Sequence, residues 1–210
     1  MTQFNNPLAR WNERFATVNY LFGEKPNRYL EEKISLLQKG KALSIADGEG
    51  RNSVWLATQG YEVDAFDFSP VAIEKAQKLA NMHKVTVNFQ CSDWQNFDWN
   101  MNHYDTIAGI FFQFADPKAR LQIFEKLNTA LKPGGTLIIQ GYGVEQIKFN
   151  TGGPGVLENL YDEELLIASF KDYKILDLKT YQEEVDEGPG HSGMSALLGY
   201  VGQKPNLYRN

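Results

Sequence analysis

The sequence predicts an α/β fold: a seven-stranded, mostly parallel sheet with helices on both faces and an antiparallel strand pair at its carboxyl end. Three observations carry this expectation. Short apolar runs alternate with helical spacings from residue 42 to about residue 140, and strands joined through helices pair in parallel with right-handed crossovers. A glycine-rich turn, Gly48-Glu-Gly50, follows the first of these strands. Beyond residue 155 the pattern changes to one short helix and two long strand-like runs, 173–184 and 195–203, which read as a hairpin-like finish.

Each element has a local reason. Leu30, Ile34 and Leu37 give residues 26–38 one apolar helical face. Residues 42–45 form the first strand, which runs into Ala46-Asp-Gly-Glu-Gly50, and residues 51–59 continue as a helix. A second strand, 61–66, ends on Asp67. Ser69 can cap the next helix, Pro70 suits its first turn, and Ala72, Ala76, Leu79 and Ala80 keep helical spacing to about His83. Residues 85–89 are β-branched and lead to Cys91-Ser-Asp-Trp94; residues 104–112 form another apolar run. Asp116-Pro117 opens a further helix, Lys132-Pro-Gly-Gly135 turns the chain, and 136–140 is the fifth strand. A glycine-rich loop, 150–155, precedes a short helix over 162–170. With no repeat or linker, the chain is expected to form one domain. Its parts are an amino-terminal lid and helix (1–40), a cofactor-binding core (41–142) and a substrate-side portion (143–210).

Composition narrows the function classes. Twenty-one basic residues against 26 acidic ones, with no dense Lys/Arg run, disfavour nucleic-acid binding, which needs a concentrated basic surface. Cys91 is the single cysteine and the three histidines are scattered, so no metal site is expected. The opening residues lack the blocks of a secretory signal, and no apolar run approaches the ~20 residues of a membrane span. No membrane partner and a cytoplasmic location are the resulting expectations.

The opening strand–turn–helix–strand unit points to a nucleoside ligand. Gly48 and Gly50 let backbone approach without Cβ atoms, and the following helix offers unpaired N–H groups. Asp67 stands one strand away, where a ribose can donate two hydroxyl hydrogen bonds to its carboxylate. Each position also has a bland reading: strand termination for the glycines, helix capping for Asp67, a turn with a core tryptophan for Asp93-Trp94, and an aromatic plug for Trp11, Phe15, Tyr20 and Phe22.

Four segments go further. Trp11-Asn-Glu-Arg-Phe15 with Tyr20-Leu-Phe-Gly23, Gly48-Glu-Gly-Arg-Asn52, Thr151-Gly-Gly-Pro154 and Glu187-Gly-Pro-Gly-His191-Ser-Gly193 together resemble a class I S-adenosylmethionine-dependent methyltransferase. Within that superfamily they are most similar to the tellurite-resistance and thiopurine S-methyltransferase-like group. The resemblance implies a Rossmann-like sheet, S-adenosyl-L-methionine as cofactor, S-adenosyl-L-homocysteine as product and a small-molecule methyl acceptor. It also implies that Ala46, Asp47, Gly48 and Gly50 pass beneath the methionine and ribose, and that Asn52 is among the cofactor-binding residues. Asp67 would bind the ribose with Phe68 beside the adenine, Asp93 would accept from the adenine amino group, Trp94 would cover the ring, and Ser92 would belong to the same cofactor-binding step. Ile110 and Phe111 would line the floor. Trp11 to Phe22 would close as a lid, with Arg14 on the cofactor carboxylate. The family usually carries an acid two residues before its first glycine; this chain has Ser44 and Ala46 there, and Asp47 is the expected substitute.

Methyl transfer is mainly a matter of alignment, and the sequence shows no nucleophile–base pair, as suits a soft sulfur, selenium or tellurium acceptor. If a base is needed, His191 is the candidate, with Tyr20 as a positioning hydroxyl. Two other functions fit parts of the pattern. Gly48-x-Gly50-x-x-Ser53 with Asp67 partly mimics a nicotinamide dinucleotide fingerprint, and a non-catalytic protein could retain the same pocket.

Overall fold

The computed structural model describes residues 6–149 and 151–206. The opening stretch read for a targeting signal begins outside them, and so does Asn150 of the glycine-rich loop. Seven strands form one sheet in the order β3-β2-β1-β4-β5-β7-β6. The strands are β1 (Lys41–Ile45), β2 (Glu62–Asp67), β3 (Val87–Cys91), β4 (Tyr104–Ile110), β5 (Leu131–Tyr142), β6 (Lys174–Asp186) and β7 (Ser192–Gln203). β1 through β5 pair in parallel, whereas β7 is antiparallel to both β5 and β6. The insertion of antiparallel β7 beside β5 takes the place where a second mononucleotide-binding half would continue. The dinucleotide alternative thereby loses its architectural support.

The helices are α1 (Pro7–Phe15), α2 (Arg28–Lys33), α3 (Arg51–Thr58), α4 (Pro70–His83), α5 (Pro117–Ala130) and α6 (Glu163–Ser169). Their starts follow the capping chemistry of the sequence: Ser69, Asp116 and Asp162 each accept a backbone N–H three residues on, and proline follows the first two caps. Asn6 and Asn27 cap α1 and α2 in the same way. The predicted helix over 26–38 is shorter, ending in a 3₁₀ turn at Ile34–Leu36. Conversely, β5 begins at Leu131, because the Lys132–Gly135 turn is a bulged excursion between Tyr104↔Leu131 and Thr106↔Thr136.

One core face packs Leu43, Ile107, Leu137 and Tyr200 with Phe112, Phe124 and Phe170; the other packs Ala42, Ala108 and Ile138 against Tyr29 and Leu30 of α2. Burial on both faces explains why the central strands read as continuous apolar runs.

The two glycines of the β1–α3 turn have different reasons for being there. Gly50 sits at φ +91°, and a Cβ on it would lie 2.7 Å from the Ala76 Cβ of α4, so its missing side chain serves helix packing. Gly48, at φ +61°, would bring a Cβ only to 3.6 Å from the Phe15 ring of α1. Gly50→Ala is therefore expected to cost about 2–4 kcal/mol, through overpacking and left-handed backbone, and Gly48→Ala about 1 kcal/mol. Urea unfolding of the two variants checks this ranking.

Candidate functional site

The sheet changes winding direction between β1 and β4, and the carboxyl ends of β1, β2 and β4 open at that switch point, the usual ligand crevice of such sheets. Two non-glycine residues at this rim hold left-handed backbone: Ala46 (φ 46°) after β1 and Phe111 (φ 54°) after β4. Such conformations cost about 1–3 kcal/mol each and persist only where packing over-determines them.

Asp67, at the end of β2, is 5% exposed. Its Oδ2 accepts from the Gly48 N–H and its Oδ1 from the Ser69 N–H, both at 2.9 Å. It thus bridges the glycine turn to the start of α4, and each oxygen keeps a lone pair for a further donor. Burial pushes its carboxyl up to about 6 against the help of those N–H groups. Asp47 beside it is raised to about 6 for the same reason. The folded chain therefore binds protons at these two groups more readily than the unfolded chain. Their contribution to stability is fully present below the ordinary value of 3.8 and fades as pH rises through about 6.

Several expected ligand contacts are redirected. Asp47 was expected to take over the methionine contact of the missing acid, but its carboxylate faces inward. It accepts from the Ser44 hydroxyl (2.6 Å), the Ser53 hydroxyl (2.5 Å) and the Ser53 N–H (3.3 Å). It closes the start of α3, whose N-cap is Gly50 and has no side chain to do so. Asn52 points its amide oxygen at the Asn27 N–H, 2.9 Å away. The Ser92 hydroxyl turns back to the Asp93 carbonyl. Ile110 is built into the core beside Ala108 and Ile138, leaving Phe111 as the residue that the end of β4 presents. Tyr20 donates its hydroxyl to the Lys75 carbonyl (3.2 Å), so it is not free to position an acceptor.

Other expected residues do line the rim. Asp93 forms a turn with Gln95 and Asn96 and is half-buried; Oδ2 meets only the Asn96 amide and keeps acceptor capacity. Trp94 and Phe68 are also half-buried. Trp94 rests on the aromatic core, and its carbonyl accepts from Trp99 Nε1 at 2.8 Å.

The lid is an aromatic chain. Trp11 stacks on Phe15 (5.3 Å between ring centroids), both approach Phe22 (6.2 and 6.3 Å), and Phe22 lies 4.9 Å from the His191 ring. His191 in turn meets Phe111 at 4.1 Å and Tyr142 at 5.5 Å. Phe15 is 3% exposed and covers Gly48. The Arg14 guanidinium lies over the Trp11 ring at 4.4 Å and over Phe22 at 5.9 Å, close enough to Tyr142 and His191 for mutual electrostatic influence.

A buried ion pair invisible to motif reading fastens this lid. Glu49, the residue between the two glycines, pairs with Lys75 of α4, and their side chains are 3% and 11% exposed. Lys75 Nζ also donates to the carbonyls of Phe15, Thr17 and Asn19, at 3.3, 3.0 and 2.8 Å. Glu49 Oε2 accepts the Leu21 N–H at 2.7 Å. Residues 15–21 are thus wrapped around one ammonium. The Tyr20 ring lies 4.9 Å from it.

The Glu187–His191 loop is clasped to the lid's far end. Gly190 N–H donates to the Leu21 carbonyl at 2.8 Å. A Cβ on Gly188 would lie 2.5 Å from Gly23 N, and one on Gly190 2.5 Å from the Phe22 ring. Glu187 accepts from Arg51 Nη2 (2.6 Å) and Asn27 Nδ2 (2.9 Å), with His191 Nδ1 at 3.5 Å. Although burial opposes it, the His191 contact and the Arg51 charge hold Glu187 down to about 2. Burial pushes His191 below its ordinary value; Glu187 opposes this, while the charges of Arg51 and Arg14 add to it. The net balance favours the neutral imidazole. Outside this clasp lies a groove of about 810 Å³ lined by Tyr20, Phe22, Arg51 and Glu187. Across the rim, Gln146 holds the glycine-rich loop through Thr151 Oγ1 (3.1 Å) and the Gly152 carbonyl (3.2 Å).

No group of metal-ligating residues occurs among the described residues, and no helix among them is long and apolar enough to cross a membrane. Residues 42–135 match the Methyltransferase domain family. A carboxy-S-adenosyl-L-methionine synthase of Hydrogenovibrio crunogenus is 28% identical over 150 residues, covering 70% of this chain and 57% of that protein. The chain spans about half the length of the curated relatives it matches. Among solved structures, the N-methyltransferase NodS of Bradyrhizobium japonicum in complex with S-adenosyl-L-homocysteine aligns with a TM-score of 0.72 at 14% identity, over 95% of this chain and 98% of that one. TehB of Haemophilus influenzae aligns with a TM-score of 0.69 at 18% identity, over 94% of this chain and 66% of that one. These two likenesses are of fold.

Lys75→Met is expected to leave Glu49 buried without its cation, at a cost of about 3–5 kcal/mol. Hydrogen exchange should show the amides of residues 15–21 losing protection before the central strands do, and adding Glu49→Gln should restore part of the loss.

Proposed function

On the premise that this chain is built on the class I S-adenosylmethionine-dependent methyltransferase fold, we propose that it transfers a methyl group to a small-molecule acceptor, of which soft nucleophiles are the first choice. The observation that carries this reading is the placement of Asp67 at the switch point, with a lone pair free on each oxygen. That arrangement suits two vicinal hydroxyl donors. The residues of this rim suit the adenosyl portion of the cofactor once the Phe15 ring, which covers Gly48 here, moves aside: Asp67 would take the ribose hydroxyls, Gly48 would pass beneath without a Cβ, and Phe68, Asp93 and Trp94 would bound the adenine. Arg14, stacked on Trp11 and Phe22, is the cation available for the cofactor carboxylate. Asp47 does not fit the ammonium role, since its oxygens are held by Ser44 and Ser53.

The bound cofactor supplies an electrophilic methyl on a cationic sulfur. The protein's own work is alignment and exclusion of water, and the Phe22, Phe111, Tyr142 and His191 rings provide a dry wall for it. Burial keeps the Tyr142 hydroxyl protonated, its acidity far below that of a free tyrosine. His191 is then the one neutral nitrogen base at this wall. A thiolate or similar soft acceptor needs little help from it, whereas a protic acceptor would use it. The tellurite-resistance-like group is supported by the sequence segments quoted above; the TehB likeness adds only that the folds agree.

Calorimetry with S-adenosylmethionine and its demethylated product is expected to show binding. Asp67→Ala should weaken it at least about ten-fold, as loss of a charge-assisted acceptor pair implies. Because the free protein holds the Asp67 carboxyl at about 6, affinity should fall as pH drops through that value and level off above it. Release of S-adenosylhomocysteine with thiols, thiopurines, selenite or tellurite supports the soft-acceptor reading. Turnover confined to alcohols or amines contradicts it, and binding with no turnover across the panel favours a non-catalytic binding protein.

A further inference from the structure

Three features of the molecule lie outside the cofactor crevice and invite a role: the open groove between lid and hairpin, the orphaned buried Nη1 of Arg51, and the convergence of charged groups on Glu187. The last has the fullest geometry. Glu187 lies at a junction of three parts of the chain. Its Oε1 takes the Asn27 amide (2.9 Å) and the Arg28 N–H (3.3 Å) at the start of α2. Its Oε2 takes Arg51 Nη2 (2.6 Å), from the first residue of α3, and faces His191 Nδ1 (3.5 Å). Main-chain bonds close the same loop: Glu187 N–H to the His191 carbonyl (2.9 Å) and His191 N–H to the Gly188 carbonyl (3.0 Å).

A carboxylate facing Nδ1 selects the tautomer that carries its proton there, which leaves Nε2 as the unprotonated nitrogen. Nothing else among the described residues competes for that nitrogen through a hydrogen bond, while Phe22, Phe111 and Tyr142 wall the ring in. We propose that Glu187 and Arg51 are positioning residues that hold His191 as the Nδ1–H tautomer and present Nε2 as proton acceptor for a protic methyl acceptor. The inference rests on the methyl-transfer reading and deepens it. As the acceptor atom forms its bond to the methyl carbon with a lone pair, the carbon–sulfur pair stays on sulfur. The acceptor's proton passes to Nε2, leaving its bonding electrons on the acceptor atom. The imidazolium charge so created faces the Glu187 carboxylate. Arg51 fixes that carboxylate, and burial, with the Arg51 and Arg14 charges adding to it, disfavours the protonated form of the resting imidazole. Because Arg51 immediately follows the Gly48-Glu-Gly50 turn, the same guanidinium ties the orientation of the base to the turn that would carry the cofactor.

The test is an imidazole ¹⁵N–¹H titration of the full chain from about pH 4 to 9, in which His191 is separable from His83 and His103 by its buried environment. The wild-type protein should show the Nδ1–H tautomer for His191. E187Q should lose that tautomer bias and move the midpoint down, whereas R51M should move it up, each by about one unit. A wild-type Nε2–H tautomer, or midpoints unmoved in both variants, overturns the assignment. If a variant fails to fold by circular dichroism, the wild-type tautomer alone decides. Calorimetric binding of S-adenosylmethionine to the same samples keeps the questions apart: lost binding in the wild type sinks the methyl-transfer reading, while an unmoved histidine sinks only the positioning role.

Discussion

The buried pair of Glu49 and Lys75 is the interaction on which the arrangement of this site depends. A carboxylate and an ammonium withdrawn from water are stabilising only when their remaining hydrogen-bonding capacity is met. Here the lid's own backbone meets it for Lys75 and for Glu49 Oε2, through the Phe15, Thr17 and Asn19 carbonyls and the Leu21 N–H, while Glu49 Oε1 has only the Lys75 charge. Desolvation makes the pair demanding, and the demand is what shapes an otherwise irregular segment. Glu49 belongs to the glycine turn and Lys75 to the helix that follows Asp67, so the lid is fastened to the two elements that border the crevice. Phe15 is thereby set over Gly48, and Phe22 is delivered to His191.

The far side of the lid is held by a second set of charges with a different logic. Glu187 and His191 of one loop, Arg51 and Asn27 come from three segments and converge where three glycines, Gly23, Gly188 and Gly190, allow backbones to touch. The first set joins one carboxylate to one ammonium. The second contains a histidine whose charge is suppressed by burial and by two arginines, and so it includes a member able to take up a proton.

Much of the fold was legible because it rests on local signals: alternating runs, serine and aspartate caps, and proline at the first helical positions. Asp67 was legible for the same reason, as an acid closing the strand after a glycine turn. Where local reading went astray, a long-range contact had taken over a residue with a plausible local role. Asp47 looked available to a ligand because nothing in the sequence says that Ser44 and Ser53 will close on it. Gly50 looked like a ligand-facing glycine, but Ala76 fills the space. Tyr20 and Asn52 were claimed by partners distant in sequence. The reverse held for Glu49, Lys75, Arg51 and Glu187: charged residues usually belong to solvated faces, and only the three-dimensional pairing sets these four apart.

Ala46 and Phe111 carry a consequence for how this molecule can change. Their left-handed backbone raises the energy of the resting chain at the two strand ends that flank the crevice. A glycine in place of Ala46 would relieve that tension, yet it would also free the rim to adopt other shapes; at Phe111 the same change would in addition remove a ring packed against Tyr142 and His191. Selection for robustness alone would thus drift toward a sturdier, laxer molecule. Endurance and grip thus pull in opposite directions at Ala46.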